Sequence, residues 1–303
     1  MNLPKIIKNK NFLKLVVSLL ILLFLMKLVN YQLLWSSIKN INSIFMVALA
    51  ILPFSIFLRA WRWLIIMNKD GKLVSIKNAY YLTLVGVALN IFLPASSGDI
   101  AKSYYGYKWH GVKEEMLSSS IIDKLIALLA LFIIGSVAAF VLKMDWLAAL
   151  SILMMVALGF LIFFPKLVPW RILNWVLGFF TKTQLDEDKL KTSFALPHKI
   201  KIITILISIM AWTLSYIQFY VVCLSFNVDI SFTYILAIAS LLNLALLFPF
   251  TLNGIGSGEV MTIYLFSLVN ISPTLAILIS LVYFQLLNTI IPGIFGLAII
   301  LKK

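Results

Sequence analysis

Two short stretches combine carboxylates, small residues and a helix break inside very apolar surroundings. In the first, Pro94 is followed by Ser97, Gly98, Asp99 and, one turn on, Lys102. In the second, Pro249 is followed by Gly254, Gly256, Ser257, Gly258 and Glu259. Proline stops a helix, and the helix that restarts presents unpaired backbone N–H groups. Ser97 and Ser257 fit the N-cap position, and Asp99 and Glu259 fall in the first turn, where the helix dipole favours negative charge. Lys102 is the expected partner of Asp99. The restarts read either as capped helix ends or as two half-helices facing one cavity that holds a charged head group. A positive helix start suits phosphate. The acids would then be paired with a cation, carry a coupling proton or contact a cationic head group.

Further polar candidates lie nearby. Arg59 and Arg62 are three residues apart in "LRAWRW", on nearly one helix face. Arg and Trp at a span's end form an interfacial anchor, and the guanidinium groups could also hold phosphate. Asp123 and Lys124 lie inside an apolar run, where charges face a protein interior or a pore. Asn90, Asn243, Asn253 and Asn288 suit hydrogen bonds between helices. No nucleotide-binding loop, no Ser/His/Asp set and no paired acid with catalytic spacing is present. His110 and His198 form no metal-ligand pattern, and the lone Cys223 cannot make a disulfide within the chain. No cofactor, metal or covalent catalysis is expected.

The elements that must position these residues are written in the composition. Hydrophobic residues make up 62% of 303, charged residues 12%, and mean hydropathy is +1.05. A soluble domain carries about twice that charge, so lipid is the solvent for most of this surface. Windows of spanning length fall at 12–29, 41–59, 117–142, 146–164, 200–226 and 275–301. Two broken pairs, 78–94 with 97–111 and 231–250 with 257–270, read as re-entrant hairpins. Backbone breaks at membrane depth are tolerated only within protein or beside a wet cavity. The expected fold is thus an all-α integral membrane protein with about six full spans and two re-entrant broken-helix hairpins.

The segments 41–142 and 200–301 repeat the order span, broken pair, span. With an N-terminal span 12–29 between them and the start, their hairpins enter from opposite sides, the pattern of an inverted repeat. The whole chain, 1–303, reads as one polytopic domain, with residues 165–199 as an inner loop. If the N-terminus is inside, 21 of the 25 Lys and Arg fall in inner segments. That is a strong positive-inside bias, with both termini cytoplasmic. It accounts for the net charge of +14 through topology and anionic lipid rather than nucleic acid.

At "LRAWRW", "LNIFLPASSGDIAKSYY", "SSSIIDKLIALL" and "FPFTLNGIGSGE" the chain resembles the lysylphosphatidylglycerol synthase transmembrane region, a flippase-like domain. The family pattern matches Arg59 and Arg62, then Asn90, Leu93, Pro94, Gly98 and Lys102. It continues through the acid–base pair Asp123–Lys124 to Pro249, Gly254, Gly256 and Glu259. Lys102 and Lys124 stand where the family more often has Arg. The resemblance implies a cell-membrane protein of a bacterium or archaeon that binds or moves a phospholipid or polyprenyl-phosphate-linked lipid between leaflets. Arg59, Arg62, Lys102 and Lys124 would attract phosphate, and the hairpins would form the polar path. The alternative is a membrane subunit that anchors or regulates a separate lipid- or glycan-modifying enzyme. The chain ends at Lys303, shortly after the last span, so lysyl transfer by this chain alone is not expected.

Overall fold

The computed structural model describes residues 18, 20–21, 23–93, 97–164, 195–246 and 256–302. All regular structure among them is helical, confirming an all-α membrane protein. A short helix α1 (Tyr31–Lys39) precedes the first long one, α2 (Phe45–Met67). The first hairpin is α3 (Ile76–Asn90) and α4 (Gly98–His110). Then come α5 (Lys113–Val141), α6 (Asp145–Phe163) and α7 (His198–Ser225). The second hairpin is α8 (Phe232–Leu246) and α9 (Ser257–Ser267). The chain closes with α10 (Pro273–Ser280), a π-helical stretch (Leu281–Ile290) and α11 (Ile291–Lys302). Four described helices are long and apolar enough to cross a membrane: Phe45–Met67, Glu115–Val141, His198–Ser225 and Pro273–Lys302. Most of the expected span 12–29, the loop 165–194, Pro94, Pro249, Asn253 and Gly254 lie outside the described residues.

The helix ends follow local chemistry. Ser75 caps α3 by accepting from the Asn78 N–H, and Ser272 caps α10 ahead of Pro273. Gly111, at φ 79°, closes α4 in the left-handed conformation that glycine adopts freely. The first long helix, α2, departs from expectation by running to Met67 rather than stopping at Arg59. Its terminator is Asn68, whose Oδ1 accepts from the Leu73 and Val74 N–H groups while Nδ2 donates to the Val74 carbonyl. The "LRAWRW" run is therefore interior helix, and Trp63 and Arg62 are buried. These two side chains are therefore not the interfacial anchors expected at a span's end.

The last long helix is not uniformly α. Pro292 lacks an N–H and crowds the carbonyl four residues earlier. The turns before it widen: Ile291 N–H bonds the Leu286 carbonyl, five residues back. The Asn288 and Thr289 side chains likewise reach the carbonyls of Tyr283 and Phe284. Long π-helical runs are rare and concentrate at functional sites.

Packing is reciprocal between the two halves. Helix α2 lies along α7, each half's opening span on the other. The first leg of each hairpin packs on the closing span of the opposite half, α3 on α11 and α8 on α5. Gly293 and Gly296 make the α3–α11 contact close: a Cβ on Gly296 would strike the Leu84 carbonyl oxygen, and one on Gly293 would lie 2.7 Å from Ile91 Cδ1. Small residues at such contacts let helices approach where lipid supplies no hydrophobic drive. Polar ties cross the same interfaces. Gln218 donates to the Ala48 carbonyl at 2.8 Å and Trp212 to the Ala127 carbonyl at 3.0 Å. The main core is aromatic, with Phe219 stacked on Tyr283 at 4.4 Å and on Phe266 at 6.1 Å.

Candidate functional site

Between the halves lies a cavity of about 200 Å³. Its wall comes from α2 (Ser55, Arg59, Arg62), α3 (Thr83, Asn90), α4 (Asp99, Lys102) and α5 (Asp123, Lys124). The second half adds Trp212 and Ser215 from α7, Asn243 from α8, and Tyr283, Phe284, Asn288 and Thr289 from the π-helical stretch. The widened turns thus present polar groups to the cavity from an otherwise apolar span.

Asp123 is the inner hub. Its Oδ1 accepts from Arg62 Nε at 2.6 Å, and its Oδ2 lies 3.6 Å from Lys102 Nζ. All three side chains are nearly inaccessible. Arg62 Nη1 also donates to Ser208 Oγ at 3.2 Å, and Lys102 Nζ sits 4.6 Å above the Trp63 ring. Nearer the open side, Lys124 Nζ donates to Asp99 Oδ2 at 2.8 Å, with side chains 19% and 34% accessible. The expected Asp99–Lys102 pairing is therefore exchanged for two tertiary ones. Asp99 takes Lys124, and Lys102 takes Asp123.

Arg59 stands apart. It is only partly buried, yet its Nη2 is sealed and has no hydrogen-bond partner. Among the described residues it makes no ion pair within 4.0 Å, although it lines the same cavity as both aspartates. Among the described residues, four cations thus face two carboxylates, a formal excess of two positive charges.

The first break is capped from a distance. Asn90, at the end of α3, accepts from the Gly98 N–H at 2.7 Å and donates to Asp99 Oδ1 at 3.4 Å. Ser97 makes no side-chain cap bond, so the expected role of Ser97 passes to Asn90. A Cβ on Gly98 would strike the Gly86 carbonyl oxygen and lie 2.6 Å from the Asn90 nitrogen. Glycine is required there because α3 and α4 meet backbone to backbone.

The second break is built differently. Ser257 is the first helical residue of α9, not its cap. Gly256 holds the cap position at φ 91°. Glu259, fully buried, turns back so that its Oε2 accepts from the Gly256 N–H at 2.6 Å and its Oε1 from Ser280 Oγ at 3.4 Å. Gly256 packs against Ile21 and the Ser18 carbonyl oxygen. Neither Gly256, Ser257, Gly258 nor Glu259 lines the cavity. The expectation that both restarts face one polar chamber is corrected here, since only the first does so. The second hairpin reaches the chamber through Asn243.

The structure brings Arg59, Arg62, Asn90, Asp99, Lys102, Asp123 and Lys124 together. The residues that sequence reasoning left out as site groups are Trp63, Ser208, Trp212 and the Tyr283–Thr289 face. Only Pro292, which spoils α-helical bonding, signalled the last of these. Among the described residues no group of three or more His, Cys, Asp or Glu could hold a metal.

Comparison with known proteins agrees with this architecture. The chain is 24% identical over 299 residues to a UPF0104 membrane protein of Methanothermobacter thermautotrophicus, covering 89% of this chain and 88% of the relative. The family model for the lysylphosphatidylglycerol synthase TM region matches residues 11–296, nearly the full length and the whole cavity, and the chain belongs to that family.

Proposed function

We propose that this protein binds the head group of a phosphate-bearing lipid in the central cavity and passes it between leaflets. The observation that carries the reading is Arg59, which among the described residues makes no ion pair within 4.0 Å and leaves its Nη2 without an acceptor, in a chamber that already holds three other cations. A guanidinium in low dielectric seeks an oxyanion, and arginine meets phosphate through two parallel hydrogen bonds. The acyl chains can stay in lipid, so the head group is the costly part of the passage. A lined chamber between two halves removes that cost. We also propose that the halves 41–142 and 200–301 are inverted repeats that rock about the cavity. The reciprocal packing of α3 on α11 and α8 on α5 supports this, as does the placing of substrate sites at repeat interfaces in transporters built this way. The cell membrane, with cytoplasmic termini, is the proposed location.

The test is translocation of fluorescent phospholipids in proteoliposomes. The wild-type protein should equilibrate the two leaflets faster than protein-free vesicles, and Arg59→Gln should lower the rate at least about tenfold, one lost charge-assisted contact. Wild-type vesicles no faster than protein-free ones would overturn the reading. So would Arg59→Gln vesicles as fast as wild type. An anchoring role beside a separate enzyme would then remain.

A further inference from the structure

Resting on that head-group reading, we infer that the cavity is matched to a doubly charged phosphate, a phosphomonoester or diphosphate, rather than to a diester, zwitterionic or amine-bearing head. Three observations converge on this class. The first is the formal excess of two positive charges among the cavity's ionisable groups. A singly charged diester would neutralise half of it. A head bearing an amine would restore positive charge where it is already in surplus.

The second is that both carboxylates of the cavity are engaged. Asp123 is held between Arg62 and Lys102, and Asp99 by Lys124 and Asn90. Glu259, the remaining buried acid nearby in sequence reasoning, lies outside the cavity and accepts from Gly256 and Ser280. Among the described residues no carboxylate is left over to receive an ammonium group.

The third is the arrangement of donors. Arg59 offers a guanidinium with no competing partner, whose sealed Nη2 lacks an acceptor. Lys124 is the more accessible of the paired lysines, 19% against 4% for Lys102, so it is the one better exposed to a ligand. A guanidinium together with a lysine ammonium would suit three phosphate oxygens. A phosphomonoester has three unesterified oxygens and a diester only two.

The experiment compares binding by purified wild-type protein of short-chain phosphatidic acid, phosphatidylglycerol, lysyl-phosphatidylglycerol and inorganic phosphate. At about pH 8, phosphatidic acid should bind at least about tenfold more tightly than either other lipid. Near about pH 5 its head holds a single charge, because the second phosphate pKa is about 6, and the preference should shrink to about twofold. Among the described residues of the cavity wall, Tyr283 is the one titratable group beside the four cations and two aspartates, and none is a histidine, so the ligand is the group expected to change charge. Arg59→Gln should erase the preference, while Arg59→Lys should keep part of it. Equal or tighter binding of phosphatidylglycerol or lysyl-phosphatidylglycerol at pH 8 overturns this inference and leaves the head-group reading standing. A preference for phosphatidic acid unchanged at pH 5 also overturns it. Inorganic phosphate binding as tightly as phosphatidic acid keeps the doubly charged class but overturns the lipid source. Absence of binding by every lipid overturns both.

Discussion

Asp123 holds two cations at once in a place water hardly reaches, which makes it the most exacting single residue of the cavity. Removing its charge leaves Arg62 and Lys102 buried together without a counter-charge. Breaking a buried pair in this way costs roughly 3–5 kcal/mol, whereas an accessible pair contributes about 0–1 kcal/mol. Asp123→Asn is therefore predicted to lower the melting temperature in detergent sharply, and Lys124→Met to change it little. Equal losses would show that the two ion pairs are not of different depth. The sequence marked Asp123 and Lys124 as interior charges but not their partners. Consecutive residues on a helix point about 100° apart, so Asp123 turns toward Arg62 and Lys102 while Lys124 turns toward Asp99. Spacing along the chain favoured the local Asp99–Lys102 pair. The Trp63 ring and the Asp123 carboxylate, from other helices, hold Lys102 instead.

At the scale of the element, the first hairpin depends on a contact of backbone with backbone. Gly98→Ala would press a methyl group onto the Gly86 carbonyl and the Asn90 main chain, neither of which can swing away. A loss of about 1–3 kcal/mol is expected, as for overpacking elsewhere. Gly159 on α6 is the matched control, because a Cβ there meets nothing within 4 Å. Gly159→Ala should leave the melting temperature unchanged or raise it, by up to about 1 kcal/mol of helix propensity. Similar destabilisation by both substitutions would remove the close approach as the cause. The existence and limits of both hairpins were legible from proline, glycine and the switch in polarity. The cap was not, because Asn90 lies eight residues before the N–H it accepts, beyond any local capping pattern. The π-helical stretch was hinted at by Pro292 alone, since hydropathy does not distinguish a wide turn from an ordinary one.

For the molecule as a whole, the lysine and arginine distribution predicts which loops share a side. Cys223 is fully buried, so single cysteines can be introduced and labelled over a silent background. In intact cells an impermeant maleimide should react with Lys39→Cys, and with Lys72→Cys only after permeabilisation; both positions are exposed. The opposite pattern would invert the proposed orientation. Class and approximate spans were readable from composition because lipid demands long apolar runs. Which helix lies on which was not, because lipid-facing and helix-facing surfaces are equally apolar here. Gly293 and Gly296 were the available hint of a tight crossing. The unbalanced lining of the chamber has a consequence for its resting state. A pocket with two surplus positive charges is not expected to stay vacant in a cell, so chloride or bicarbonate should lodge there between cargoes, and each arriving lipid would displace a lodger. Turnover would then be a swap of occupants, sensitive to which small anions the cytoplasm supplies.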